Sequence, residues 1–343
     1  MTSRPRLTPA IADIRRAVRA SLAQHGGGQG GLVLVALSGG PDSLALAAAT
    51  AFEAPRLGLR AGAVIVDHAL QERSADVAAA ASVAATALGL NPVFVRRVTV
   101  GAAGGPEAAA RDARYAALDD TRAEAGASHI LLGHTLDDQA ETVLLGLARG
   151  SGARSLRGMD AAALPYLRPL LAIRRQATVQ ACADAGLEPW LDPHNHDTAF
   201  ARVRVRSTVL PVLEKELGPG VAEALARTAD QLREDDDALD RFAEEVIEEL
   251  VEHAEAGISL PVTALASNPA ALRQRLIRLA VLGEFHLSLS RAHTLEVARL
   301  VTDWRGQGAL DLPGIRVERQ GGLIVFRATA RRSGTPDTTP IDG

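Results

Sequence analysis

The sequence is poor in the residue types that build several common kinds of site. Of its 343 residues, one is a cysteine, Cys182, and one is a lysine, Lys215. A single cysteine excludes an internal disulfide and any metal or iron–sulfur site held by cysteines alone, and it favours a reducing compartment. The G-x-x-x-x-G-K-[ST] phosphate loop is excluded as well, because it needs a lysine beside its second glycine.

Long apolar runs are also missing. No stretch is long enough to span a bilayer, and the arginines near the N-terminus are not followed by the apolar core of an export signal. We therefore expect a cytoplasmic protein that does not bind membranes. The net charge of −4 argues against a general nucleic-acid coat. The length of 343 residues favours two domains, and 47% hydrophobic residues are enough to give each a core.

The most informative stretch is an apolar run that stops at a glycine-containing loop. The run, 32–37, is rich in β-branched residues and does not alternate, so it predicts a central parallel strand covered on both faces. The loop that follows consists of Ser38, Gly39, Gly40, Pro41, Asp42 and Ser43. Its glycines allow a tight turn, and the proline suits the first position of a helix. Such a loop directs backbone N–H groups and the positive end of a helix dipole at a phosphate.

The side chains of this loop indicate ATP with Mg²⁺. The hydroxyls of Ser38 and Ser43 can donate hydrogen bonds to pyrophosphate. Asp42 would be an anion beside anions unless a cation lies between them, so we predict it to be a Mg²⁺ ligand. The alternative is an ordinary strand–helix turn in which Asp42 is simply a first-turn residue.

Strands and helices alternate through the first half of the chain. Predicted strands at 32–37, 63–66, 92–95 and 130–132 are separated by predicted helices at 74–88 and 107–125, and further helices cover 7–25 and 136–148. This alternation predicts an α/β fold with a doubly wound parallel sheet, because parallel strands are joined by right-handed helical crossovers. Ligands of such sheets bind at the carboxyl ends of the strands.

Polar residues follow two of these strands. Asp67 and His68 end the second strand and can line an adenosine site, although a turn aspartate is an equal alternative. His134, Asp138 and Glu141 follow the fourth strand at spacings of four and three residues, so they share one helix face. These three groups could hold Mg²⁺ or orient an amine nucleophile. The alternative is a capped helix whose early acids suit its dipole.

Two pairs of arginines are candidates for RNA contact. Arg111 and Arg114 lie on the predicted helix at 107–125, and Arg202 and Arg206 would share a helix face at a spacing of four residues. Both pairs could instead be solvated, as exposed helix arginines usually are.

The remainder of the chain loses the strand–helix alternation. We place a boundary at 218–220, which gives a first domain at 1–217, a mainly helical second domain at 218–332 and a disordered tail at 333–343. Residues 221–253 predict a long helix with the acids facing outward and five apolar residues facing inward: Leu232, Leu239, Phe242, Val246 and Leu250. Segments 315–318 and 323–326 alternate and predict a β-hairpin.

Several strings follow the phosphate loop in a family-specific order. They are Val66-Asp67-His68, Arg111-x-x-Arg114-Tyr115, Gly133-His134-x-x-x-Asp138-Gln139-x-Glu141-Thr142, Arg168-Pro169-Leu170-Leu171 and Trp190-x-Asp192-Pro193-x-Asn195. In this order they resemble the bacterial tRNA(Ile)-lysidine synthetases, which are N-type ATP pyrophosphatases of the PP-loop superfamily. The resemblance implies an adenine nucleotide alpha hydrolase-like sheet.

The resemblance also implies an activity. Enzymes of that family use ATP to ligate lysine to C2 of the wobble cytidine of tRNA(Ile) with a CAU anticodon, through an adenylated cytidine, with release of AMP and diphosphate. The expected partners are that tRNA, free L-lysine and, as an open possibility, a second copy of the chain in a homodimer. The resemblance implies that 1–217 is the ATP-pyrophosphatase catalytic domain and that 218–332 binds the tRNA. One departure is Val203, which stands where the family usually has asparagine.

The family pattern assigns roles to positions of this chain. The expected catalytic residues are Asp42, Arg114, His134, Asp138 and Glu141, and Asp42 and Glu141 are the expected metal ligands. The nucleotide site would comprise the 38–43 loop with Asp67, His68 and Gly133. The alternatives are another PP-loop enzyme, either a tRNA thiolation enzyme or an amide synthetase, and a non-catalytic nucleotide-binding module.

Overall fold

The computed structural model describes residues 7–69, 73–101, 105–150, 153–192, 197–254 and 257–329. Its contacts divide the chain into two compact units, Met1–Leu232 and Arg233–Gly343. The tail at 333–343, predicted to be disordered, lies outside the described residues, as do Pro193 and Asn195 of the family motif. Among the described residues, no helix is both long enough and apolar enough to cross a membrane.

The first unit contains a six-stranded sheet with the order β3-β2-β1-β4-β6-β5. Its strands are β1 (Leu32–Ala36), β2 (Arg60–Asp67), β3 (Val93–Arg97), β4 (His129–Leu131), β5 (Ala162–Ala163) and β6 (Tyr166–Leu167). β1 pairs in parallel with β2 on one side and with β4 on the other, so the order of the strands reverses between β1 and β4. Crevices at such reversal points are where α/β sheets bind ligands.

The first nine helices belong to this unit. They are α1 (Pro9–His25), α2 (Pro41–Glu53), α3 (Ser74–Ala87), α4 (Pro106–Ala125), α5 (Leu136–Ala148), α6 (Ala153–Leu156), α7 (Arg175–Asp184), α8 (Ala201–Arg204) and α9 (Leu210–Leu217). α8 and α9 are joined by a π-helical turn at Val205–Val209. Pro211 explains this turn, because a proline cannot donate the backbone hydrogen bond that would continue an α-helix.

The sequence of β1 is an unbroken apolar run because both faces of the strand are covered in the core of the first unit. Val33 and Val35 pack into a cluster with α1, α2 and α7, whereas Leu32 and Leu34 pack on the opposite face with Leu118 of α4. All five residues of β1 are buried. The predicted doubly wound parallel sheet with helices on both faces is therefore confirmed. The sequence analysis missed β5 and β6, which have two residues each and are too short to show a pattern.

The second unit contains a five-stranded antiparallel sheet with the order β7-β8-β11-β10-β9. The strands are β7 (Glu252–Ala254), β8 (Gly257–Pro261), β9 (Leu310–Leu312), β10 (Ile315–Gln320) and β11 (Leu323–Ala328), and the helices are α11 (Val262–Ser267), α12 (Ala270–Phe285) and α13 (Arg291–Thr302). The predicted hairpin is β10–β11. It is the middle of a larger sheet, because β8 and β9 extend it on either side.

The long helix α10 (Val221–Leu250) corrects one prediction. Phe242 and Val246 are exposed, at 57% and 37%, whereas Ala229, Asp236 and Ala243 are buried. The buried positions 229, 236 and 243 thus recur every seven residues, and two of the three are alanines. Of the other predicted inward residues, Leu232, Leu239 and Leu250 are half-buried, and Leu250 packs against the core of the second unit. The prediction is therefore wrong for Phe242 and Val246, because it chose positions by the size of the apolar side chain. The buried acid Asp236 is paired with Arg275 of α12, contrary to the outward-facing acids expected.

The contact-based division between the two units falls inside α10, at 232/233. The loop at 218–220, which the sequence indicates as the domain boundary, precedes α10. The boundary at 217/218 therefore stays a prediction.

Candidate active site

The phosphate loop connects β1 to α2, where the sheet reverses. Gly39 has a φ of +85°, a conformation that favours glycine. The hydroxyls of Ser38 and Ser43 lie 3.1 Å apart, and the Ser43 hydroxyl donates to the carbonyl of Gly40 at 3.0 Å. The backbone N–H of Ser38 also donates to Ser43 Oγ at 3.2 Å. Ser43 thus holds the loop in a tight turn whose amides precede the N-terminus of α2.

Gly133, at the end of β4, lies directly against this turn. A Cβ atom at this position would stand 3.0 Å from the backbone N of Ser43 and 3.1 Å from the carbonyl carbon of Asp42. Both neighbours are backbone atoms, which cannot rotate away. The assignment of Gly133 to the nucleotide site thus has a steric basis: only glycine lets β4 approach the loop this closely.

We expect Gly133→Ala to weaken ATP binding by about tenfold, because overpacking costs roughly 1–3 kcal/mol and here displaces the phosphate loop. Isothermal titration calorimetry with ATP measures the effect. Gly28→Ala is the matched control, since a Cβ at Gly28 would meet nothing within 4 Å. Equal ATP affinity in the two variants would contradict the steric role of Gly133.

A cavity of about 230 Å³ opens beside the loop at the carboxyl ends of β1 and β2. Its apolar floor comes from both strands, and its polar lining includes Ser38, Asp67, His68 and Arg114. Trp190 closes one side, and its backbone N–H donates to the carbonyl of Gly39 at 3.0 Å. The structure therefore brings four predicted site residues, from the end of β2, from α4 and from the loop, to one cavity of a size suited to a nucleoside.

The polar groups of this cavity are held in defined charge states. Burial alone would raise the pKa of Asp67, but hydrogen bonds from the Ala69 amide and the Ser74 side chain outweigh it and lower the pKa. Burial and the nearby Arg114 lower the pKa of His68 below its ordinary value. Asp67 is therefore an ionised acceptor and His68 a neutral ring at neutral pH.

A second group of site residues lies where α5 faces the loop. We call Asp42, Asp138 and Glu141 the carboxylate cluster. Three arginines surround it: Arg175 at the start of α7, Arg202 on α8 and Arg206 on the π-helical turn.

Asp138 has two roles in this cluster. Its Oδ2 accepts hydrogen bonds from the backbone N and the hydroxyl of Thr135, both at 2.8 Å, and so completes a capping box at the start of α5. Its Oδ1 accepts from Arg175 Nη2 at 2.8 Å. Burial opposes ionisation, but Arg175 and the Thr135 hydrogen bonds outweigh it and lower the pKa of Asp138. Asp138 is thus a carboxylate anion at neutral pH.

Glu141 is fully buried and faces all three arginines. Arg206 binds it through two nitrogens, with Nε 2.7 Å from Oε1 and Nη2 3.1 Å from Oε2. Arg202 Nε lies 3.4 Å from Oε2, and Arg175 Nη1 lies 3.3 Å from Oε1. Arg202 and Arg206 therefore share one face, as predicted from their spacing, but this face meets a carboxylate of the same chain.

The sequence analysis missed Arg175 and Thr178, both on α7. The Thr178 hydroxyl donates a hydrogen bond to Asp42 Oδ1, and Arg175 Nε lies 3.2 Å from Asp42 Oδ2. Burial raises the pKa of Asp42 despite these two partners. A signal for Arg175 did exist: an arginine in the first turn opposes the helix dipole, so it needs an anionic partner from elsewhere in the fold.

His134 precedes Thr135, the N-cap of α5, so it lies outside the helix and does not share a helix face with Asp138 and Glu141 as predicted. Its Nδ1 atom is buried and has no hydrogen-bond partner among the described residues. Burial, reinforced by Arg114, Arg168 and Arg202, lowers the pKa of His134 to about 3, although Asp138 opposes the shift. The ring is therefore neutral at physiological pH and can exchange hydrogen bonds with a substrate.

This shift gives a pH prediction. The unfolded chain should protonate His134 near pH 6.5, whereas the folded chain binds that proton only near pH 3. Stability contributed by the neutral ring is therefore complete above pH 6.5 and declines as the pH falls toward 3, by at most about 1.4 kcal/mol per pH unit. Histidine NMR, with His134 assigned through His134→Gln, should show a neutral ring at pH 5. A titration midpoint near 6.5 would refute this.

Two further positions from the sequence analysis are Arg111, a predicted RNA contact, and Val203, the departure from the family pattern. Arg111 is exposed, and its guanidinium lies 4.9 Å from the centre of the Tyr115 ring. Val203, in place of the family's usual asparagine, is 9% exposed, while its neighbours Arg202 and Arg206 still meet at Glu141. RNA contacts by these arginines stay predictions.

The fold and the site together define a class. A parallel sheet with a lysine-free phosphate loop at its reversal point and a nucleoside-sized cavity beside it is the arrangement of an ATP-binding PP-loop domain. The PP-loop domain family matches residues 13–213, and the TilS substrate binding domain family matches residues 260–322.

Two relatives that match over most of their length identify the family within this class. The chain is 65% identical to the tRNA(Ile)-lysidine synthase of Leifsonia xyli over 298 residues, which cover 87% of this chain and 90% of the relative. It is 53% identical to the enzyme of the same name from Thermobifida fusca over 323 residues, with coverages of 93% and 98%. The chain belongs to the tRNA(Ile)-lysidine synthase family, whose members are ATP-dependent ligases.

A solved structure supports the fold independently. The U34-tRNA thiolase NcsA from Methanococcus maripaludis, with its [4Fe-4S] cluster, superposes with a TM-score of 0.55 over 66% of this chain and 80% of the thiolase, at 20% sequence identity. This similarity shows a shared fold only.

Proposed function

We infer that this chain ligates L-lysine to C2 of the wobble cytidine of tRNA(Ile) bearing a CAU anticodon, at the expense of ATP. The observation that carries the proposal is the adjacency of two regions within one unit: a nucleoside cavity with its phosphate loop, and the carboxyl groups of Asp138 and Glu141 on α5. The first suits ATP, and the second suits the ammonium group of an amino acid. The match of residues 260–322 to a substrate-binding domain supports tRNA as the third reactant.

The proposed reaction has two steps. The carbonyl oxygen on C2 of the cytidine attacks the α-phosphorus of ATP, the bond between the α-phosphorus and the bridging oxygen breaks, and diphosphate leaves. The amine of lysine then attacks C2, the C2–O bond breaks, and AMP leaves with the oxygen while the amine loses a proton. The amides and hydroxyls of Ser38 and Ser43 would stabilise charge on the departing diphosphate.

The carboxylates of Asp138 and Glu141 would bind and orient the lysine substrate. Asp138, ionised by its surroundings, and Glu141 would hold the ammonium groups and so orient the amine toward C2. His134 would serve as a neutral hydrogen-bonding partner of the base or the amine, and Arg114 would contact the nucleotide from the cavity wall. Asp138→Ala with undiminished lysidine formation would remove the role given to Asp138.

Of the two proposed Mg²⁺ ligands, Asp42 is the better suited, because it could bind the ion beside the substrate phosphates. Among the described residues, no three histidine, cysteine, aspartate or glutamate side chains form a ready metal site. Mg²⁺ is, however, commonly held by one or two carboxylates plus substrate phosphates, and Asp42 stands at the phosphate loop with hard oxygen donors. Glu141 could join it only after Arg175, which lies between the two carboxylates, moves. When bound, Mg²⁺ would neutralise charge on the phosphates.

A sulfur-transfer activity of the kind named for the structural relative lacks support in this chain. The single cysteine is buried, and burial raises the pKa of its thiol to about 11. Iron–sulfur clusters need several thiolate ligands, which one cysteine cannot supply.

The product assay tests the proposal. Purified protein, ATP, Mg²⁺ and lysine are incubated with tRNA(Ile) or tRNA(Met), both with CAU anticodons, and the nucleosides are analysed by mass spectrometry. We expect lysidine and diphosphate only with tRNA(Ile). Diphosphate release without tRNA would favour an amide synthetase, and nucleotide binding without turnover would favour a non-catalytic module. We further propose a cytoplasmic location, and sedimentation would test the possible homodimer.

A further inference from the structure

One guanidinium occupies the centre of the carboxylate cluster. Arg175 donates from Nη2 to Asp138 at 2.8 Å, from Nη1 to Glu141 at 3.3 Å and from Nε to Asp42 at 3.2 Å. Each nitrogen of the guanidinium thus faces a different carboxylate. Burial alone would lower the pKa of Arg175, but the three carboxylates outweigh it and raise the pKa.

The four oxygens of Asp138 and Glu141 each face two donors. Asp138 Oδ2 takes two hydrogen bonds from Thr135, and Glu141 Oε2 faces Arg202 and Arg206. The other two oxygens, Asp138 Oδ1 and Glu141 Oε1, each receive one nitrogen of Arg175 and one of Arg206. A carboxylate oxygen accommodates about two donors. A substrate ammonium can therefore reach these oxygens only if an arginine withdraws.

Arg175 is the arginine that links the carboxylates of α5 to the phosphate loop. Arg206 holds Glu141 with two nitrogens, and Arg202 is anchored by a hydrogen bond to the Thr142 hydroxyl at 2.8 Å. Arg175 makes a single hydrogen bond to each carboxylate. Of the three arginines, it is also the one that contacts Asp42 on the phosphate loop. ATP with its cation would compete for Asp42 and remove one of those three contacts.

We propose that the Arg175 guanidinium occupies the lysine-ammonium subsite between Asp138 and Glu141 and yields it to lysine once nucleotide engages Asp42. The inference rests on the proposed function, in which Asp138 and Glu141 bind lysine. Three carboxylates face three guanidinium groups in this arrangement, so each buried carboxylate has a cationic partner. Nucleotide then binds before lysine, and Arg175 is a positioning residue that sets this order.

Calorimetry of the full chain with L-lysine tests this order. In the wild type, lysine affinity should be at least tenfold higher with Mg²⁺ and α,β-methylene-ATP than without them. In Arg175→Gln, lysine should bind without nucleotide at least tenfold more tightly than in the wild type. L-norleucine, which lacks the side-chain ammonium, should show no gain. The matched control is Arg174→Gln, because Arg174 contacts Asp137 and Glu223 instead and should preserve the wild-type pattern.

Two outcomes would overturn the inference: equal lysine affinity of the wild type with and without the analogue, or no gain in Arg175→Gln. If Arg175→Gln fails to fold, Arg175→Lys takes its place. One ammonium cannot span three carboxylates, so Arg175→Lys should bind lysine more tightly than the wild type, with a smaller gain than that expected for Arg175→Gln. An unchanged lysine affinity in Arg175→Lys would contradict the inference. The product assay separates the two proposals. Lysidine formation without the affinity pattern refutes only the role of Arg175, and the affinity pattern without lysidine refutes only the proposed function.

Discussion

Asp42→Asn should reduce tRNA-dependent diphosphate release by about 100- to 1000-fold, because a metal-assisted charge at a phosphate site contributes several kcal/mol. The carboxyl group stands at the phosphate loop, half-buried between Thr178 and Arg175. Asparagine keeps the shape and the hydrogen bond from Thr178 but removes the charge that would attract a cation. A malachite-green assay with added pyrophosphatase measures the effect.

The control for this experiment is Asp120→Asn, an exposed position on α4. It should leave diphosphate release at the wild-type rate. Binding of ATP without Mg²⁺ should change by less than about tenfold in Asp42→Asn, since the loop amides and the cavity remain. Wild-type turnover by Asp42→Asn would show that the loop works without this carboxylate and would withdraw Asp42 from both its catalytic and its metal role.

Glu141→Gln is expected to lower the free energy of unfolding of the first unit by roughly 2–4 kcal/mol. Removing one partner of a buried ion pair costs about 3–5 kcal/mol, and the arginines here can recover part of that by hydration, since their side chains are 21–32% exposed. Because glutamine preserves the size of the side chain, the decrease in unfolding free energy measures the contribution of the negative charge. Lysidine formation should fall as well, because Asp138 alone would face the substrate ammonium.

Urea denaturation followed by the fluorescence of Trp190, in a Trp304→Phe background, measures this loss in the first unit. These are the two tryptophans of the chain. Glu124→Gln is the matched control: Glu124 pairs with Arg96 but its side chain is 62% exposed, so the change should be within about 1 kcal/mol. A similar loss of unfolding free energy in Glu141→Gln and Glu124→Gln would mean that water stabilises the arginines around Glu141 as well as the Glu141 carboxylate does.

Local patterns predicted most of the first unit. The apolar run at β1 and the helix at 136–148 were read correctly because each is long and bounded by glycine, proline or a capping residue. The short strands β5 and β6 escaped detection, since two residues have no periodicity. On α10, the fully buried positions include Ala229 and Ala243, so a reading based on large apolar side chains was wrong for Phe242 and Val246.

The sequence by itself determined the class of chemistry. A lysine-free phosphate loop after a doubly buried strand, and two acids three residues apart on the helix after another strand, predict a nucleotide site and a carboxylate face from local geometry. Tertiary structure decided what these groups contact. Arg175 lies far along the chain from Asp42 and beside no recognisable motif, and only the packing of α7 against α2 and α5 places its guanidinium among the carboxylates. That placement results from burial: anions enclosed in a protein interior require cationic partners, and the fold supplies them from whichever elements pack nearby.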